Sequence, residues 1–170
     1  MSEPPALADD DQVALQSWFR FHFQERVRFN KACGIQITRW EGDDATFELA
    51  LRDDLMAHPG VFHGGVVSAL IDTAGTGAVM AGHDFNRGSR ITTMSLSVNY
   101  LSVAPGEGLV AEAHCTRRGR SNHYAEVHVY SSDTRKLLAQ GLVTCNTANA
   151  HEGFDKILAA ARRRAHRIGA

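Results

Sequence analysis

A chain of 170 residues falls in the range of one domain and buries roughly 70% of its unfolded surface, enough for a core without staples. Hydrophobic residues make up 44% and charged residues 22%, with 15 Gly and 4 Pro, which excludes disordered, collagenous and low-complexity classes. Eighteen Lys plus Arg against 19 Asp plus Glu leave a formal charge of −1, so no overall positive field favours a polyanion and nucleic acid is not an expected partner.

The opening Met1-Ser2-Glu3-Pro4-Pro5 lacks a basic region and Asp9-Asp10-Asp11 interrupts any apolar stretch, so no export signal is read there. From about Asp11, Ala14, Trp18 and Phe21 recur at helical spacing beside Leu15 and Phe19. An amphipathic helix within residues 1–32 is expected, although Phe19, Phe21 and Phe23 also alternate as a strand would. Ile35 and Ile37, then Phe47, Leu49 and Leu51, alternate with polar residues around Gly42-Asp43-Asp44, which reads as a hairpin.

Gly64 to Gly82 carries a single charge over a length close to a membrane span. Its one carboxylate, Asp72, sits near the middle and five of its residues are glycines. An ionised Asp costs several kcal/mol in lipid, so a helix buried in protein is expected and no membrane. Four alternating runs follow, centred on Met94–Tyr100, Leu109–Cys115, Ala125–Val129 and Leu137–Cys145, separated by Pro105-Gly106, Gly119-Arg120-Ser121-Asn122 and Ser131-Ser132-Asp133. They read as an antiparallel meander of four successive strands. A second amphipathic helix is expected in residues 149–170, with Phe154, Ile157, Leu158 and Ala161 on one side and Arg162, Arg163, Arg164 and Arg167 mostly elsewhere. The fold class is α+β, with the sheet curling around one long central helix. Cys33, Cys115 and Cys145 are widely spaced with no CxxC; reduced thiols in the cytoplasm are the simplest reading.

Chemistry concentrates at the start of the central helix. His63-Gly64-Gly65 opens it, and a helix N-terminus with glycines offers unpaired N–H groups able to polarise a carbonyl oxygen. Asp72 is costly on an apolar helix unless it is paired, hydrogen-bonded or facing a cleft. It lies eight positions beyond Gly64, about 12 Å along a helix, so one chain is not expected to bring both to one carbonyl. If the two act together, Asp72 of one subunit meets the Gly64 end of another, in an antiparallel helix pair with two-fold symmetry. A structural carboxylate capping neighbouring backbone is the alternative for Asp72, and a plain tight helix start the alternative for the glycines.

The run from Pro59 to Ala74, PGVFHGGVVSALIDTA, together with Ser97 to Gly106, SVNYLSVAPG, resembles the hotdog-fold acyl-CoA thioesterases of the phenylacetate-pathway type, over about Cys33 to Thr147. The resemblance implies a hotdog domain over 33–148, with the helical segments 1–32 and 149–170 added at its ends. It implies an acyl-CoA substrate hydrolysed to free acid and coenzyme A at a site between subunits of a homodimer or homotetramer. By position, Gly64 resembles the carbonyl-polarising donor, with Gly65 beside it, and Asp72 resembles the nucleophile or general base. Thr93 resembles a Ser/Thr that helps hold the water, or is an ordinary strand threonine. His63 resembles a loop-orienting ring, with helix capping also open. Relatives carry a polar residue six positions before the histidine where this chain has Ala57; His58 beside it could supply the contact after a one-residue shift. Arg117, Arg118 and Arg120, with Asn122, cluster at a predicted hairpin tip and suit coenzyme A phosphates, or form a solvated basic turn. No cofactor beyond the substrate's coenzyme A and no metal are expected, because His58, His63, His83, His114, His123 and His128 show no ligand spacing. GxGxxG, GxxxxGK[ST] and GxSxG are absent. A non-catalytic acyl-CoA sensor in the same groove and a hotdog hydratase are the rival readings.

Overall fold

A helix apolar on nearly every side has to be wrapped, and the wrapping organises the chain. The computed structural model describes residues 6–148 and 153–168. Helix α1 (Asp9–Phe21) runs into a π-helical turn at His22–Arg26 and a short helix α2 (Arg28–Cys33). Strands β1 (Gln36–Glu41) and β2 (Asp44–Ala50) form the expected hairpin, and a small hairpin of β3 (Met56–His58) and β4 (Val61–Phe62) leads into the central helix α3 (Gly64–Ala81). Four long strands follow, β5 (Arg90–Tyr100), β6 (Gly108–Arg118), β7 (Asn122–Ser131) and β8 (Leu137–Ala148), then helix α4 (Phe154–Ile168).

The large sheet has the order β1-β2-β6-β7-β8-β5, antiparallel throughout. This corrects the four-strand meander: β5 pairs with β8 at the far edge, and β6 pairs instead with β2, Ala45 opposite Ala113 and Leu49 opposite Leu109. Alternation encodes which face a residue takes, not which strand lies beside it. The chain crosses between the two positions through residues 101–107, which are held near the start of α3 by Phe62 N–H to Ala104 O at 3.1 Å and Leu51 N–H to Glu107 O at 2.7 Å.

Leu70, Ile71, Ala74, Ala78 and Val79 of α3 are fully buried. The helix passes the length and apolarity test for a membrane span, but 61% of it is buried inside the protein, as a core helix requires. Two glycines set how closely the sheet wraps it. A Cβ on Gly75 would stand 2.5 Å from Val143 Cγ2, and one on Gly77 would stand 2.6 Å from the Phe47 ring. The terminal helices join the same core through Ala14, Leu15, Phe19 and Ala161. The π-helical turn settles the strand-or-helix ambiguity of the aromatic run by burying Phe19 and Phe23 from consecutive helical segments.

Beyond the C-terminus of α3, His83 and His123 are buried with their rings perpendicular and 5.9 Å apart. His83 Nε2–H donates to Gly88 O at 2.8 Å, His123 Nε2 is hydrogen-bonded to Thr147 Oγ1 at 2.8 Å, and His123 Nδ1 is buried without a partner. Burial, with help from His83 and Arg118, pushes His123 down to about 4, and burial also lowers His83.

Two outcomes follow for stability. Gly75→Ala gains about 1 kcal/mol of helix propensity but forces Val143 to move at a cost of about 1–3 kcal/mol, so urea unfolding is expected to show a net loss. Because His123 and His83 bind protons more weakly folded than unfolded, their contribution is complete above about pH 6.5 and declines below it, that of His123 being lost as pH falls toward 4. That amounts to on the order of 3 kcal/mol for His123, and part of the acid slope in melting experiments is expected to vanish in His123→Gln.

Candidate active site

The mouth of α3 is built by hydrogen-bond assignment among its first peptides. His63 is the N-cap, in extended conformation at φ −65° and ψ 135°, and its Nδ1 accepts from Gly65 N–H at 2.9 Å. That fixes the ring proton on Nε2. The Val66 and Val67 N–H groups go to His63 O. Within this first turn the Gly64 N–H is left without an acceptor among the described residues, pointing out of the positive end of an 18-residue helix. The Gly65 N–H is thus engaged within the chain, and His63 takes the capping role.

The Gly64–Gly65 peptide is pinned at its other end by a residue that the motif contained but that had no assigned task. Tyr100 O–H donates to Gly64 O at 2.8 Å and also meets Ser68 Oγ. Tyr100 has one proton and gives it to a carbonyl that can only accept, so Ser68 must be the donor to the Tyr100 oxygen. The phenol thus ties the end of β5 to the first turn of α3.

Two turns further along, Asp72 is half-buried and Thr93 Oγ1 donates to its Oδ1 at 2.7 Å. Asp72 Oδ2 has no hydrogen-bond partner among the described residues. Thr93 reaches the helix only because β5 is bulged. It lies seven residues before Tyr100, an odd spacing that regular pleating would send to the opposite face. The register steps from Thr93 opposite Cys145 to Ser95 opposite Thr144, and the extra residue, Met94, lets Thr93 and Tyr100 both face α3. Behind Thr93, burial and the Asp72 charge push the Cys145 thiol up to about 12, so it stays protonated and is no nucleophile.

The basic hairpin tip divides. Arg118 donates to Val79 O at 2.6 Å and Ala78 O at 3.1 Å and pairs with Asp43 at 2.6 Å. It caps the C-terminus of α3, where a cation is favoured, and its guanidinium is engaged there rather than turned outward with Arg117 and Arg120. Arg117 and Arg120 are exposed with no carboxylate partner among the described residues. Asn122 is exposed and its Oδ1 accepts from Asn146 Nδ2 at 2.8 Å. The tip sits at the end of α3 opposite Gly64, about 27 Å away along 18 residues, so one chain brings together Asp72 and Thr93 but not Arg117, Arg120 and its own Gly64. His58 is exposed on β3 opposite Val61, beside the exposed Ala57. Among the described residues no three His, Cys, Asp or Glu side chains converge as metal ligands would.

Removing the phenol proton with Tyr100→Phe is expected to cost about 1 kcal/mol in urea unfolding. Ser68→Ala added on top is expected to cost less than it does alone, because the two hydroxyls act as one unit.

The sequence model of the thioesterase superfamily matches residues 59–138. Acyl-coenzyme A thioesterase 13 of Mus musculus is 33% identical over 91 residues, 53% of this chain and 63% of that protein. Its Homo sapiens counterpart is 31% identical over 103 residues, 60% of this chain and 71% of that protein. The medium/long-chain acyl-CoA thioesterase YigI of Escherichia coli K12 is 27% identical over 126 residues, 65% of this chain and 80% of that protein. Among solved structures, a thioesterase family protein from Silicibacter pomeroyi superposes with a TM-score of 0.72 at 19% identity, over 78% of this chain and 98% of that one, a likeness of fold. The matched stretch runs from the loop before the mouth of α3 into β8 and holds Gly64, Asp72, Thr93 and Tyr100, and with this sheet wrapped around this helix the chain belongs to the hotdog-fold thioesterase superfamily.

Proposed function

We propose that the protein hydrolyses acyl-CoA thioesters at a site shared by two subunits, with Asp72 of one activating water against a carbonyl held by Gly64 of the other. The observation that carries this reading is the Asp72 carboxylate on an otherwise apolar helix, fixed at Oδ1 by Thr93 and unclaimed at Oδ2. A carboxylate so placed is oriented to accept a proton from water through its free oxygen. Water attacks the thioester carbon, the carbonyl oxygen becomes an oxyanion facing the Gly64 N–H, and collapse expels the coenzyme A thiolate, which takes up a proton. The printed names of the mouse and bacterial relatives support the substrate class.

Two features support the shared site. Gly64 and Asp72 are about 12 Å apart on one rigid helix, too far to hold one carbonyl. The edge strand β5 has no neighbour on its outer side, and Met94, Leu96 and Tyr100 on it and Leu101 and Val103 just beyond it are exposed, Met94 at 65%. Long apolar edges of this kind are covered by a partner. An antiparallel pairing that sets Gly64 against the partner's Asp72 also carries the 117–122 tip about 15 Å beyond the partner's helix mouth, where the free Arg117 and Arg120 suit coenzyme A phosphates. The three buried, unpaired thiols fit a reducing, cytoplasmic location.

Thiol release over a panel of acyl-CoA esters tests the proposal. Asp72→Asn is expected to lower kcat about 10²–10⁴-fold and Gly64→Pro about 10²–10³-fold, both with near-native melting. Proline suits the first helical position and removes only the open N–H, and His63 already has the extended backbone that a following proline requires. Thermal stabilisation by acyl-CoA without any thiol release would instead favour the acyl-CoA sensor.

A further inference from the structure

The cationic residues that the thioester chemistry leaves unused gather on the helical layer, away from β5. Asp72 faces β5 through Thr93, whereas the next residue, Thr73, faces α2 by donating to Asn30 Oδ1 at 3.3 Å. On the outer side of that layer α1, the π-helical turn, α2 and α4 enclose an open groove of about 720 Å³, lined among others by Arg20, Arg26, Lys31 and Arg164. A second recess shares Phe21, Arg26 and Arg164 with it and adds Arg163 and Arg167, making one continuous surface.

Several arginines elsewhere in the chain have their charge met by an acid, and those of the groove do not. Arg39, Arg52, Arg87, Arg118, Arg135 and Arg162 each pair with a carboxylate. Arg20, Arg26, Arg163, Arg164 and Arg167 have no carboxylate partner among the described residues; Arg20 donates to Ile37 O at 3.1 Å. The acid on the groove wall, Glu25, is 3.6 Å from Lys31, and Arg162, next in sequence to Arg163, is spent on Asp11 at 2.6 and 2.7 Å. Arg164 lies over the Phe21 ring at 3.9 Å and Arg26 over the same ring at 5.7 Å. A guanidinium held on an aromatic face is pre-organised, with its N–H edge left to bind an anion. Arg164 Nε is buried with no partner among the described residues, an unmet donor within that cluster. The local field registers on His22, whose proton affinity is lowered by burial and by Arg26.

We propose that the α1–α4 groove is a binding site for a phosphate-bearing anion, separate from the thioester site. Several guanidiniums brought together with no acid but Glu25, which Lys31 engages, repel one another, and bidentate pairing with phosphate oxygens both relieves that repulsion and fits their fork geometry. The phosphate can come from a soluble polyphosphate compound or from the headgroup of an anionic phospholipid, and Ile168 exposed at the end of α4 is compatible with either.

The test uses the full chain and two probes: inorganic pyrophosphate followed by calorimetry, and cosedimentation with phosphatidylglycerol–phosphatidylcholine vesicles against phosphatidylcholine alone. Saturable, salt-sensitive binding of at least one probe is expected, and whichever binds identifies the source. Arg26→Gln/Arg164→Gln is expected to weaken it at least tenfold. Arg163→Gln/Arg167→Gln, on exposed side chains that cannot disturb the core, is expected to weaken it severalfold. Arg39→Gln/Arg135→Gln removes the same charge elsewhere and is expected to leave it unchanged. Failure of both probes to bind, or equal losses in the groove and control variants, overturns the proposal whether or not the protein hydrolyses thioesters.

Discussion

The hydrogen bond from Thr93 to Asp72 is the contact on which the rest of the site depends. A carboxylate on a helix enclosed by apolar side chains is costly unless a donor meets it, and here a single hydroxyl at 2.7 Å does so. Several features of the fold serve that contact. The sheet must close tightly enough to bring β8 against α3, which Gly75 permits beneath Val143. Strand β5 must sit beside β8 rather than β6, and it must be bulged at Met94 so that Thr93 turns inward without losing Tyr100 from the same side. The hydroxyl meets one carboxylate oxygen and leaves the other open among the described residues, so the same bond that makes Asp72 tolerable would also orient it for the proposed chemistry.

Much of this was legible from the chain itself, for physical reasons that also mark where reading stops. The central helix shows because a largely apolar run carrying a single charge has few other homes. The hairpin of β1 and β2 shows because its turn residues demand it. The inward faces of β6, β7 and β8 follow from alternation. Strand order does not, since β5 and β6 are adjacent in sequence yet separated in the sheet by two strands, β7 and β8. Thr93 was reachable only through family likeness, because a bulge defeats the parity argument that would have sent it outward. The fate of Arg118 was hidden for a different reason. Three arginines within four positions look alike until the C-terminus of α3 is placed, and then one of them is seen to cap it. The same holds for Gly64 and Gly65, equal in the sequence until His63 takes one N–H and leaves the other.

In the proposed reading one chain supplies half of an active site. A rigid helix separates its own carbonyl-polarising end from its own carboxylate, and the arginine tip lies farther still from the mouth. What the chain does present is a matched pair of complementary halves along one apolar, unpaired edge. Two-fold pairing along that edge would bring mouth, carboxylate and arginine tip into one cleft twice over, while the helical layer and its cationic groove stay on the outside.

Subunit mixing tests the shared site most directly. Gly64→Pro and Asp72→Asn proteins, each inactive as a homodimer, are combined under conditions in which exchange is demonstrated independently. In a hybrid, one of the two clefts regains an intact Gly64 from one subunit and an intact Asp72 from the other. Random exchange makes half the dimers hybrid, so thiol release is expected to recover to about a quarter of the wild-type rate. Complete exchange with no recovered activity would contradict a site built from two chains.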